Sequence, residues 1–438
     1  MLRQYIWNEL TRERQDAVLA RPKPAGDAGL SASVTRIIDR VRRDGDTALL
    51  TLTEELDGVP LEAIEVTETE FDEAGKRLGE TQRRAIRLAA DNIETFHEAQ
   101  LPEELRVDTA PGVCCERLTR PIERVGLYVP AGSAPLPSTA LMLGMPARLA
   151  ECPTRIMCSP VQADGRVDAA VLYAAQVSGV RRVFKLGGAQ AIAAMAYGTE
   201  TVPKVDKVFG PGNAWVTEAK EQVDRDPRGA ARDYPAGPSE VLVIADEQAR
   251  PDFVAADLLS QAEHGGDSQV LLVTTSQVQA DAVREQVERQ KSTLSRLEIV
   301  DEALVNSSII IVDDPDTAIE VSNRYAPEHL ILQLADARRW LAGVRAAGSV
   351  FLGPWAPESV GDYCSGTNHV LPTAGFANRY SSLGVADFLR SMTVQELTRE
   401  GLQGIGPIAE TLAMLEGLDA HAEAVRARLA VIDEESAA

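Results

Sequence analysis

The chain has 438 residues, more than one hydrophobic core usually supports, so two or more domains are expected. Its 44 basic residues stand against 66 acidic ones, and a net charge of -22 would repel nucleic acid and anionic membranes. Five cysteines (Cys114, Cys115, Cys152, Cys158 and Cys364) form no Cys-x-x-Cys pair, which argues against a disulfide framework or a thiolate zinc site and suits a reducing compartment.

The opening Met-Leu-Arg-Gln-Tyr-Ile-Trp-Asn-Glu is charged within a few residues, and no stretch approaches the roughly 18 apolar residues of a membrane helix, so a cytoplasmic protein is expected. Residues 1–20 carry an amphipathic helical pattern that Pro22 and Pro24 break, leaving an N-terminal arm. Val34, Ile37, Ile38 and Val41 predict a helix stopped near Gly45, and Ile86, Leu88, Ile93 and Phe96 predict another over 80–100. His97 falls in that helix without other candidate ligands around it, and reads as a packing or surface histidine.

From residue 124 a strand enters a Gly/Ser loop, and strands over 155–159, 182–186 and 207–210 then alternate with helices over 168–178 and 189–197. A second series places strands over 240–245, 269–274, 308–312, 329–333 and 349–353, with helices between them. This alternation predicts two α/β lobes with parallel, doubly wound sheets. From Leu383 onward the pattern reads as mostly helical, with helices over 407–415 and 420–432.

Three polar, glycine-bearing loops end strands of the first lobe: 128–132, Gly187-Gly188-Ala189-Gln190, and Gly210-Pro211-Gly212-Asn213. Such loops at helix starts can hold a pyrophosphate, or serve only as tight turns; none is a true Gly-x-Gly-x-x-Gly. In the second lobe a helix beginning at Pro251 should end at His264, before Gly265-Gly266. Gln261 and His264 then share a face of its last turn, as metal ligands or as a capped, solvated pair. Glu328 and His329 offer a carboxylate and an imidazole side by side, two groups that move protons near neutral pH. They can serve one site only from the loop before a strand, which fits a cleft between lobes. Glu358, Asp362 and His421 are further candidate N and O ligands, and His369 reads as second to the site or as bonded to backbone.

Taken together, Val-Gly-Leu-Tyr-Val-Pro-Ala-Gly, Gly-Gly-Ala-Gln, Phe-Gly-Pro-Gly-Asn, Pro-Ala-Gly-Pro-Ser-Glu, Leu-Leu-Ser-Gln-Ala-Glu-His-Gly, Pro-Glu-His-Leu-Ile and Ser-Gly-Thr-Asn-His-Val-Leu-Pro-Thr resemble the histidinol dehydrogenase family over nearly the whole chain. The resemblance implies a fold of two incomplete-Rossmann, aldehyde-dehydrogenase-like lobes. It implies a cytoplasmic, NAD-linked oxidation of L-histidinol to L-histidine through the aldehyde, the last step of histidine biosynthesis. One zinc per subunit would be held by Gln261, His264, Asp362 and His421, with His421 given by the partner of a homodimer. Substrate contacts would be Ser239, Gln261, His264, His329, Asp362, Glu416 and His421; nucleotide contacts would be Tyr128, Gln190 and Asn213. His329 would take protons and Glu328 would activate water, with no role for Cys152.

The division this implies is an arm over 1–24, a helical region over 25–122 packing on the lobes, a nucleotide-binding lobe over 123–236, a zinc and substrate lobe over 237–380, and a helical dimerisation element over 381–438. Two other readings use the same groups: a paralogous zinc and NAD alcohol dehydrogenase, and a zinc hydrolase using Glu328 without a nucleotide.

Overall fold

A computed structural model describes residues 2–22, 29–131, 134–235 and 237–437; Pro24 of the arm, Gly132 of the first loop and the boundary at residue 236 lie outside them. The chain forms two compact units, one of Met1–Gln100 with Ile122–Phe388 and the other of Leu101–Pro121 with Leu389–Ala438.

In chain order the elements begin with β1 (Arg3–Ile6), α1 (Arg12–Val18), α2 (Leu30–Asp57), α3 (Glu68–Arg77), α4 (Glu80–Glu98), β2 (Leu105–Ala110) and β3 (Val113–Pro121). The first lobe follows as β4 (Arg124–Tyr128), α5 (Pro137–Leu149), β5 (Thr154–Ser159), α6 (Ala169–Val177), β6 (Arg182–Lys185), α7 (Gly188–Tyr197), β7 (Lys207–Phe209), α8 (Ala214–Arg225) and β8 (Ala231–Arg232). The second is β9 (Glu240–Ala245), α9 (Pro251–Ala262), β10 (Gln269–Thr274), α10 (Gln277–Lys291), α11 (Leu297–Val305), β11 (Ser308–Ile311), α12 (Pro315–Tyr325), β12 (His329–Gln333), α13 (Ala337–Trp340), β13 (Ser349–Leu352) and α14 (Glu358–Tyr363). The chain closes with β14 (Leu389–Leu397), α15 (Arg399–Leu415) and α16 (Asp419–Ala437).

Both lobes are parallel sheets, in the orders β6-β5-β4-β7-β8 and β1-β11-β10-β9-β12-β13. Strands such as Glu-Val-Leu-Val-Ile-Ala and Gln-Val-Leu-Leu-Val-Thr are apolar almost throughout because helices cover both faces. Along β9, Val241 and Val243 pack under α9, and Leu242 and Ile244 pack on the opposite side with α12.

Two local expectations are corrected. Residues 3–6 are not helical but form an edge strand parallel to β11, with Arg3 opposite Ser308. The alternation there sends Leu2 to one face of the sheet and Trp7 to the other, and both are buried. The helix expected to stop near Gly45 does break there, at φ 53 and ψ -134, and a second helical stretch runs on to Asp57. The N–H of Asp46 just past the bend is taken by the Glu200 carboxylate, 2.8 Å away. Residues 389–397, read as helical, form β14, antiparallel to β3 along its whole length. In that second unit β14, β3 and β2 make a three-stranded antiparallel sheet, joined by the paired helices α15 and α16.

His97 is a packing histidine, fully buried, with Nδ1 donating to the Ile93 carbonyl at 2.8 Å and Nε2 3.3 Å from Asn368. Burial holds its imidazole below the usual value. The unfolded chain binds this proton below about pH 6.5 while the folded ring resists it, so the stabilisation is present above that pH and is lost as the pH falls. His97→Gln should therefore lower the urea midpoint more at pH 7.5 than at pH 5. A difference independent of pH would leave His97 with packing alone.

Candidate functional site at the cleft between the lobes

In the first lobe the three loops expected to meet a nucleotide stand at the carboxyl ends of β4, β6 and β7. Tyr128 is buried at the end of β4, and its hydroxyl accepts the N–H of Gly188 at 3.0 Å, tying the first loop to the start of α7. Burial pushes its phenol up to about 12. Gln190 is also buried, and its Oε1 has no hydrogen-bond partner among the described residues. Asn213 caps α8 by accepting the N–H groups of Trp215 and Val216 at 3.1 and 3.2 Å. Gly210 does serve as a tight turn: its φ is 124, and an added Cβ would run into the Tyr128 carbonyl. Its N–H donates to Asp233 and its carbonyl accepts Lys220 Nζ, both at 2.8 Å, so a buried pair braces this loop.

A cleft of about 610 Å³ separates the lobes. Pro211, Gly212 and Asn213 line it from the first lobe, and Ser239, Gln261, His264, Glu328, His329 and Asp362 from the second. The helix under it, α9, begins at Pro251 as expected but ends at Ala262, so His264 stands just beyond it and is exposed. Gln261 is buried; its Nε2 donates to Glu358 at 2.6 Å, and its Oε1 has no partner among the described residues.

Glu358 and Asp362 lie four residues apart in α14, on one face. One ligand atom each from His264, Glu358 and Asp362 falls within 4.8 Å of the others. A buried amide oxygen left without a partner is uncommon, and beside one imidazole and two carboxylates it completes an N and O donor set suited to zinc.

The spacing argument required both residues on the loop before the strand; Glu328 is there, but His329 is the first residue of β12, paired with Val241 and Ser349. The Glu328 carboxylate accepts the N–H of Glu240 at 2.8 Å. His329 Nδ1 donates to the Glu240 carbonyl at 3.1 Å, and Nε2 lies 3.1 Å from Asp362 Oδ1. Burial alone would lower the His329 imidazole, but the charges of Glu328 and Asp362 beside it hold it well above its usual value. Burial likewise acts to raise Asp362, yet the hydrogen bond and charge of His329 keep it well below the carboxylate range. Burial raises Glu358, which stands against another carboxylate.

His369 is bonded to backbone, with Nδ1 donating to the Asp362 carbonyl at 2.7 Å, and its Nε2 also reaches Thr139 Oγ1 of α5 at 3.0 Å. Glu416 and His421 belong to the second unit, at the end of α15 and in the first turn of α16, and both are exposed. Glu358, named with Asp362 as a candidate ligand, does join the cluster, while one contributor escaped the motif reading. Glu240 was visible only as the lone charge opening an apolar strand.

The histidinol dehydrogenase family profile matches residues 21–429. The chain is 55% identical to the histidinol dehydrogenase of Vibrio parahaemolyticus over 98% of both chains, and 56% identical to that of Xanthomonas campestris over 97% of this chain and 98% of the other. The crystal structure of histidinol dehydrogenase from Elizabethkingia anophelis superposes with a TM-score of 0.95 at 44% identity, covering 99% of each chain. These likenesses run through both lobes and the C-terminal helices, and no helix of the described residues is long and apolar enough to cross a membrane. The chain belongs to the histidinol dehydrogenase family, the zinc-binding, NAD-dependent oxidoreductases that convert L-histidinol to L-histidine in the last step of histidine biosynthesis.

Proposed function

We propose that the cleft carries out both oxidations of histidinol, with zinc held by Gln261, His264 and Asp362 and by His421 of the partner subunit in a cytoplasmic homodimer. The observation that carries this reading is the buried Gln261 Oε1, left without a partner among the described residues in the cleft that His264 and Asp362 also line. Glu358 orients Gln261 through its amide nitrogen and is a further oxygen donor to the same position. Zinc bound there supplies a template that holds the substrate's imidazole and amine.

The chain's own groups then move the protons. The Glu240 carbonyl only accepts, so His329 Nδ1 carries a hydrogen; Nε2 faces Asp362, and with that carboxylate committed to zinc Nε2 would be the atom that exchanges a proton with substrate. His329 would take the hydroxyl proton in the first step; in the second, Glu328 would take a proton from the water that adds to the aldehyde and His329 one from the resulting hydrate, and NAD, when bound, would accept one hydride in each step. Ser239 and Glu416 hold the substrate, and Tyr128, Gln190 and Asn213 hold the nucleotide. The strongly acidic composition supports a protein without nucleic-acid or membrane partners.

Co-expression of two variants impaired in forming histidine, with histidine as the readout, tests the shared site. If His421 acts across the dimer, a chain with His421→Ala and a chain with Glu328→Gln together restore one of the two sites in a mixed dimer, recovering about a quarter of full activity for random pairing. Activity no greater than that of the separate variants would place His421 within its own chain's site.

A further inference from the structure

We propose that Arg21 is a positioning residue for the oxidation, acting through Glu240 to hold Glu328 and His329 in place. The inference rests on the reading of those two residues as the proton-moving pair. Arg21 reaches 219 residues along the chain to Glu240 and grips both carboxylate oxygens, with Nε on one and Nη2 on the other. Nη2 also donates to the Tyr325 carbonyl at 2.7 Å, and the guanidinium stands 4.0 Å over the Tyr325 ring. Four interactions therefore fix one planar group, which suits the rigid fork of arginine.

Glu240 is 2% exposed, and its side chain makes a further bond with the Ala374 N–H at 2.9 Å. Its two peptide groups are the ones that matter for the cleft: its N–H donates to the Glu328 carboxylate and its carbonyl accepts from His329 Nδ1. A single residue thus sets the direction of both proton-moving side chains, and the arm sets that residue. Without Arg21 the buried Glu240 carboxylate would lack its cation while standing close to Glu328, and a buried unpaired charge forces a rearrangement. Any shift of the first residue of β9 is passed directly to Glu328 and His329, where small misplacements slow a reaction more than they weaken binding.

Arg21→Ala, Arg21→Lys and Glu328→Gln, assayed on histidinol and on its aldehyde with zinc measured by elemental analysis, decide the matter. For Arg21→Ala we expect kcat to fall about 10- to 100-fold, KM for histidinol and NAD to stay within about threefold, and zinc content to be unchanged. Arg21→Lys should recover part of kcat, and added guanidinium ion should raise kcat of Arg21→Ala but not of Glu328→Gln. Unchanged kcat, a KM that rises as much as kcat falls, or loss of zinc in Arg21→Ala would overturn the proposal. Should Arg21→Ala not fold, Arg21→Lys decides alone, and a kcat equal to that of the unaltered chain overturns it. The Glu328→Gln arm separates the two levels: equal slowing of both half-reactions removes the reading of Glu328, whatever Arg21→Ala does.

Discussion

His264→Ala is expected to remove most of the bound zinc and to lower kcat by about 100-fold or more. His264 is the nitrogen donor of the cluster with Glu358 and Asp362, and without it the site keeps only oxygen donors from its own chain, with the partner subunit's His421 as the single remaining nitrogen, a set less suited to zinc. It stands beyond the end of α9 and is exposed, so its truncation opens no cavity in the core and the fold should survive. Elemental analysis of the purified variant checks the assignment, and a full complement of zinc would refute it.

Glu328→Gln is expected to slow oxidation of the aldehyde by about 100-fold while slowing oxidation of the alcohol by less than about tenfold. The amide cannot take a proton from water, yet its oxygen can still accept the Glu240 N–H, so the geometry at the start of β12 is preserved. The change therefore removes proton transfer rather than shape. Feeding the aldehyde directly and following NADH separates the two half-reactions, and equal losses in both would rule out Glu328 as the group that activates water.

Several parts of this site were legible from residues alone. Pro251 opens α9 because Pro suits a first helical turn, a local preference, whereas the expected glycine stop is not what ends it: α9 closes at Ala262, and neither Gly265 nor Gly266 is left-handed. The two-residue period of side chains placed Glu328 ahead of a strand, while His329 is the strand's first residue. The link between His369 and backbone was likewise anticipated, although its reach to Thr139, 230 residues away, was not.

What the sequence by itself determined, then, is whatever short-range chemistry decides: the alternation of apolar strands and helices that makes two parallel sheets, the helix ends, the glycine-bearing loops, and motifs specific enough to indicate the family. Only the tertiary structure decided which weakly patterned segments became strands. Residues 3–6 and 389–397 pair with β11 and β3, and those hydrogen bonds depend on a free edge supplied by a distant part of the chain, not on local periodicity. It also decided the polar contacts behind the site, the Glu358 bond to Gln261 and the Arg21 grip on Glu240. A buried charge is stable only with its partner, and the partner is chosen by folding across 97 and 219 residues of chain, a separation that carries no signal in the order of the residues.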